Sequence, residues 1–179
     1  MSVHLIDLPT WQSRDVVRAV VETPRGSTAK IKYDPDLEAF VFQRPLAHGI
    51  SYPYDWGFFP RTLAADGDPV DGMIIHDSAS YPGMVIRCKA LAVLKVTQKR
   101  KSGAGRERND RIIGVPVGEH SSDVTELSRR LRRELENFFQ SAVFLEGKDI
   151  RLGGWGRAWE AKAIIRAGQR AFEATQKSL

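Results

Sequence analysis

"MVIRCKALAVLKV", residues 84–96, decides the fold. The run is apolar along most of its length and follows the turn signal "YPG" at 81–83. It predicts a strand long enough to bend or to break in two. Working outward, "VVRAVVE" (16–22), "AKIKY" (29–33) and "EAFVFQ" (38–43) precede it with β-branched, alternating or aromatic character. "GMIIHD" (72–77) and "RIIGVPV" (111–117) complete the set, and "TPRGS", "DPD" and "ADGDP" punctuate it. Five or more short strands separated by turns predict a small closed or partly closed barrel.

The C-terminal third reads differently. In "SSDVTELSRRLRRELENFFQ" (121–140), Ser and Asp offer caps, and Val124, Leu127, Leu131, Leu135 and Phe138 share one helical face. "RRLRRE" is then the solvated face rather than a nucleic-acid-binding helix. A last helix is predicted from near Arg157 to Thr175, after "GGW". The class is α+β, a barrel with helices packed outside. One domain over 1–179 is expected, with residues 1–15 as an N-terminal extension. "QKRKSGAGRERNDR" (98–111) reads as a basic, mobile loop between strands: Lys99, Arg100, Lys101, Arg106 and Arg108 have no interleaved aromatic for base stacking.

Composition narrows the partners. Of the 179 residues 42% are hydrophobic and 27% charged, which is ordinary globular usage. A net charge of +5 suggests an anionic partner: nucleic acid, an acidic membrane surface or a small phosphate compound. The lone cysteine, Cys88, precludes an intrachain disulfide, lies in an apolar run and reads as a small core residue. Asp7, Arg14, Asp15 and Arg18 leave no apolar core for a signal peptide, and no stretch is long enough to span a membrane. A cytoplasmic address is expected. His4, His48, His76 and His120 are scattered, read as surface or turn residues, and give no zinc pattern. Trp155 and Trp159 read as packing rather than as a stacking platform.

"SYPYDWGFFPRTLAADGDPVDG" (51–72) carries the chemistry. Asp66, Asp68 and Asp71 crowd together, where they repel one another. "DGDP" could simply turn a hairpin. An EF-hand is excluded, because position 70 is Val and no downstream Gly-Glu pattern follows. The other reading is a site for a hard divalent cation such as Mg²⁺, which takes one or two carboxylates and shares its shell with phosphate oxygens. Lys30, Arg44 and Tyr52 lie upstream as phosphate donors.

With "VVETPRGSTAKIKYDPD", "QRPL", "PGMVIRCKALAVLKV" and "GKDIRLGGWGRAWEAKAII" in the same order and spacing, the chain resembles soluble family I inorganic pyrophosphatases from about Val20 to Ile165. The resemblance implies a five-stranded OB-like β-barrel with flanking helices, a homohexamer, and Mg²⁺-dependent hydrolysis of pyrophosphate to two phosphates. It implies metal binding by Asp66, Asp68 and Asp71, with Glu22 reaching a metal through water. Asp68 is implied as the general base, and Lys30, Arg44 and Tyr52 as phosphate ligands.

Seven positions depart from the family. Its glutamate two residues after the lysine is Lys32 here, a positive charge that either replaces a metal's or discourages an ion. Its second tyrosine is Trp56, with no phenolic oxygen. Its two later aspartates align with Gln98 and Asn109, Asp110 being the neighbour that a register shift would bring in. Its next lysine is Arg111, and its late "YK" pair aligns with Ala142 and Val143. Either the basic segment supplies replacement cations, or the site has opened to an organic diphosphate, or the chain is an inactive relative. A reading of another class is a basic OB-like nucleic-acid-binding module, against which the three aspartates argue by repelling a polyanion.

Overall fold

The computed structural model describes residues 4–100, 102–118 and 127–177. Nine strands form among the described residues: β1 (Val17–Thr23), β2 (Ala29–Asp34), β3 (Ala39–Pro45), β4 (Asp55–Phe58), β5 (Asp71–Ile74), β6 (Val85–Lys99), β7 (Arg106–Arg108), β8 (Arg111–Pro116) and β9 (Arg151–Arg157). Helix α1 (Arg129–Ala142) and helix α2 (Ala158–Gln176) join them, with short 3₁₀ turns at Leu5–Asp7 and Phe144–Glu146.

From Val85 onward the decisive run falls within β6, which bends without breaking. Its first part pairs with β1 over Val85–Cys88, its later part pairs with β9 from Ala92 to Thr97, and β8 spans the middle. Against β8 the register slips between Ala90 and Ala92. Such a bulge flips side-chain parity. Ile86, Cys88, Ala90 and then Val93 enter one apolar cluster, whereas Ala92, Leu94 and Val96 enter another. One strand therefore serves two cores.

Pairings run β1–β4, β4–β5, β5–β8, β8–β6 and back through β6–β1, so five strands close a ring. All are antiparallel except β5–β8, which is parallel. Ring and helices together bear out the five-stranded OB-like α+β expectation. β2 and β3 form a separate hairpin, and β7 and β9 extend the late half of β6.

Helix α2 buries Ala161 and Ile165 in the first cluster. Helix α1 buries Leu135, Phe138, Phe139 and Ala142 in the second. Truncating fully buried Leu135 to alanine would cost about 2–5 kcal/mol. The capping candidates at 121–123 and Val124 lie outside the described residues. Ser128 caps α1 instead, its hydroxyl accepting from the Leu131 N–H at 3.2 Å.

Residues 98–111 are not a single loop. β6 continues to Lys99 and pairs with β7 from Thr97 to Lys99, so the segment is a hairpin. "GGW" sits in β9, and α2 follows it as expected. Cross-strand hydrogen bonds, not side-chain pattern, hold both short strands. Lys101 lies outside the described residues.

Candidate active site

Antiparallel pairing of β4 and β5 forces the chain between them to double back. Thr62 closes the base of that loop: its hydroxyl donates to the Phe59 carbonyl at 2.6 Å and accepts from the Val70 N–H at 2.9 Å. At the tip the Ala64 N–H donates to the Asp68 carbonyl at 2.7 Å, and Gly67 takes a φ of 85°. Asp66 Oδ1 accepts from the Asp68 N–H at 3.2 Å. "DGDP" is thus a turn. The same turn brings Asp66, Asp68 and Asp71 onto the wall of one cavity of about 120 Å³.

Each aspartate has a named partner. Asn109 Nδ2 donates to Asp66 Oδ2 at 2.8 Å. Lys32 Nζ lies 2.8 Å from Asp68 Oδ1. Arg111 donates to the Asp71 carboxylate and to the Asn109 side-chain oxygen. Arg111 also stacks over Trp56, 5.2 Å from guanidinium carbon to ring centroid. The two departures from the family at 56 and 111 are therefore complementary: an indole is the best platform for a planar cation.

Glu22, from β1, lines the same cavity and accepts from the Tyr33 N–H at 2.9 Å. Burial pushes its carboxyl up to about 7 from 4.5, the Tyr33 hydrogen bond opposing and the Asp71 charge adding. Below about pH 4.5 folded and unfolded chains both hold this proton; between 4.5 and about 7 only the folded chain keeps it. Stability conferred by the bound proton is therefore lost as pH rises through that window. In metal-free protein, Glu22→Gln should gain about 3 kcal/mol relative to wild type between pH 5 and pH 8. Urea denaturation at the two pH values measures it, and an unchanged difference would refute it. Burial lowers the pKa of Lys30. Burial also pulls on Lys32, but the hydrogen bond and charge of Asp68 outweigh it and raise its pKa.

A smaller hollow of about 40 Å³ adjoins, sharing Lys30, Trp56, Arg111 and Lys148 as walls. Arg44 and Tyr52 stand there rather than on the aspartate cavity. Arg44 donates to the Ala142 carbonyl at 2.8 Å and pairs with Glu146. Tyr52 packs on Phe138 with ring centroids 5.0 Å apart, and burial raises its pKa, so it remains a donor. Ala142 and Val143 line this hollow without offering a side-chain donor.

Sequence reasoning missed Lys148 and Glu146. Lys148 Nζ pairs with Glu146 at 2.8 Å and faces both hollows. Burial raises the Glu146 pKa, but Lys148, Lys30 and Arg44 together bring it below the usual carboxylate value. The available signal was "EGK" (146–148), which brings a lysine back near the missing donors after a glycine turn at φ 62°. Arg106 and Arg108 of the basic hairpin do not fill that role, whereas Arg111 at its end lines both hollows. Arg106 binds Asp149 at 2.8 Å, and Arg108 binds Asp110. Asp110 does not shift into the site either: its carboxylate accepts from the Val96 N–H at 3.0 Å and faces a different cleft, leaving Asn109 on the aspartates.

Formally, Glu22, Asp66, Asp68, Asp71 and Glu146 are met around the cavity by Lys30, Lys32, Arg111 and Lys148. The donor set suits a hard divalent ion: oxygen ligands from Asp66, Asp68 and Asp71 on one wall. Among the described residues no three acidic, His or Cys side chains converge into an all-protein cage. An ion held by these aspartates would keep most of its water. Gln98 lines the cavity with a buried Oε1 that lacks a protein partner, an acceptor that such water would satisfy.

Elsewhere His76 is not merely a surface histidine. Its Nε2 lies 2.6 Å from the fully buried Asp55 carboxylate, which also accepts from Ser80 Oγ at 2.6 Å and the Arg25 N–H at 2.9 Å. His48 is exposed, and His120 lies outside the described residues. Burial pushes the Cys88 thiol up to about 12, so it is an inert core residue. Trp155 packs on the second core and donates to Glu136 at 2.6 Å, whereas Trp159 is exposed.

A ring of OB-like topology that sets clustered carboxylates against lysine and arginine defines a class of site: one that takes a cation and a small polyanion together. Comparison with known proteins makes the class specific. The family profile described as inorganic pyrophosphatase matches residues 19–173. The inorganic pyrophosphatase of Nostoc sp. is 33% identical over 175 residues, covering 96% of this chain and all of the relative. That of Thermus thermophilus is 34% identical over 172 residues, covering 92% and 95%. A crystal structure of the Thermus thermophilus inorganic pyrophosphatase superposes with a TM-score of 0.85 at 31% identity, covering 96% and 99%. The chain belongs to the inorganic pyrophosphatase family. Membership implies use of a divalent metal. No helix among the described residues is long and apolar enough to cross a membrane.

Proposed function

We propose that the chain hydrolyses inorganic pyrophosphate to two phosphates with Mg²⁺ as its ion. The observation that carries this reading is the cavity itself. Three aspartates, two from one turn and one opening β5, face Lys30, Arg111 and Lys148 in about 120 Å³, far below the roughly 300 Å³ at which organic-ligand pockets begin. An unsubstituted diphosphate suits that space better than one carrying a nucleoside.

Asp66, Asp68 and Asp71 would hold the metal, with Glu22 reaching it through water. The bound ion would acidify a water molecule and offset phosphate charge. Asp68 takes the proton of the attacking water as its oxygen bonds to phosphorus. The bridging P–O bond breaks, and the leaving phosphate departs with that electron pair. Lys30 and Arg111 neutralise the charge that builds on it. Arg44 and Tyr52 line the second hollow and orient the far phosphate, with Lys148 in place of the donors missing at Ala142 and Val143. Lys30, half-buried, is best placed to touch both phosphates, because it borders both hollows.

A homo-oligomer, a hexamer by family resemblance, and a cytoplasmic address complete the proposal. Phe42, Phe144 and Leu145 are 67%, 79% and 66% exposed, which suits a chain that meets copies of itself. The test is initial phosphate release from inorganic pyrophosphate beside release from a nucleoside diphosphate at equal concentration. The expected preference for the inorganic substrate is at least about 100-fold, following the clash of a large group with a closed pocket. Equal rates would transfer the assignment to organic diphosphates.

A further inference from the structure

We infer that the Lys32 ammonium is a built-in cation of this site: it occupies Asp68 in the free protein and holds the place that a divalent ion would otherwise take. The inference rests on the proposed function, because it assigns part of the metal's charge to the chain. Lys32 sits on β2, in register with Val41 of β3, and this hairpin carries the ammonium to the aspartate turn. There Nζ lies 2.8 Å from Asp68 Oδ1, with both side chains about one-third exposed. A two-stranded element outside the ring thus delivers one positive charge to a carboxylate on the β4–β5 loop.

Two observations make this more than a surface ion pair. The wall of the cavity carries four lysine or arginine side chains against five carboxylates, so its formal charge is close to balanced before any ion enters. Little electrostatic drive remains to collect several divalent ions on the free protein. Two positions beside the triad are also neutral: Gln98 and Asn109 are amides, and Asn109 already donates to Asp66. A site arranged in this way recruits ions together with an anionic substrate, whose own charge restores the imbalance.

Lys32 is a positioning residue in this scheme, since it acts through Asp68. Counting Mn²⁺ bound to the free, full-length protein by electron paramagnetic resonance tests it. Lys32→Gln is expected to bind one more Mn²⁺ per chain than wild type, and Lys32→Arg, which keeps the charge, the same number as wild type. Lys32→Met, which preserves the aliphatic stem, should reproduce the gain and guards against a folding defect in the glutamine variant. Equal Mn²⁺ counts in all four proteins would overturn the inference, as would a gain in Lys32→Arg. Phosphate release by wild type separates the two claims: if it is nil while Lys32→Gln still gains an ion, the function fails and the resident cation stands.

Discussion

Asp68→Asn is expected to lower turnover of pyrophosphate by on the order of 10³-fold while leaving the fold intact. The amide is isosteric with the carboxylate but cannot take the proton of the attacking water. It also removes the anionic partner of Lys32 Nζ, now at 2.8 Å. The backbone of the turn does not depend on this side chain: the loop is closed by Thr62 and by the Ala64 N–H bond to the Asp68 carbonyl. Circular dichroism and the urea midpoint should therefore stay near wild type as the rate collapses. A variant that turns over at the wild-type rate would remove Asp68 from the proton transfer.

Gly57→Ala is the second large effect, and it acts on stability. Gly57 lies in β4, where a Cβ would fall 1.8 Å from the Val20 carbonyl oxygen of β1. That atom belongs to the backbone of a paired strand, so no side-chain rotation relieves the clash. The β1–β4 pairing must open, and with it the ring and the start of the aspartate loop. We expect a loss of about 3 kcal/mol or more, at the upper end of overpacking costs. The urea midpoint measures it. A variant within 0.5 kcal/mol of wild type, the usual range of a surface change, would show that β1 and β4 are not held this closely.

That glycine also shows why part of the fold was not legible. "DWGF" is short, contains a residue that weakens strands and has no alternation, so nothing in it announced β4. Its pairing on both sides, with β1 and β5, is what makes it a strand. β7 escaped for the same reason: three charged residues carry no apolar pattern, and only the partner β6 fixes them. The long run at 84–96 was legible because its length and apolar content allow few alternatives, and the bulge resolves whether it bends or breaks.

The site divides similarly. The aspartates announced themselves through crowding, Lys30, Arg44 and Tyr52 stood upstream as phosphate donors, and the resemblance to a known family added Glu22. Lys148 stayed hidden because its proximity to Lys30 and Arg111 is set by the packing of α1 and β9 rather than by spacing in the chain. Lys32 was visible as an anomaly, yet its two consequences, replacing an ion's charge or repelling the ion, could be separated only by a distance. At 2.8 Å from Asp68 it is a direct counterion.

The central claim is that the aspartate turn supports metal-dependent hydrolysis of pyrophosphate. The measurement that tests it most directly is phosphate release from pyrophosphate by the purified chain, first with Mg²⁺ and then with excess chelator. The account predicts rapid release that stops on chelation and returns when Mg²⁺ is restored in excess. Release that continues unchanged in chelator would contradict it, and so would no release from folded protein that still binds Mg²⁺.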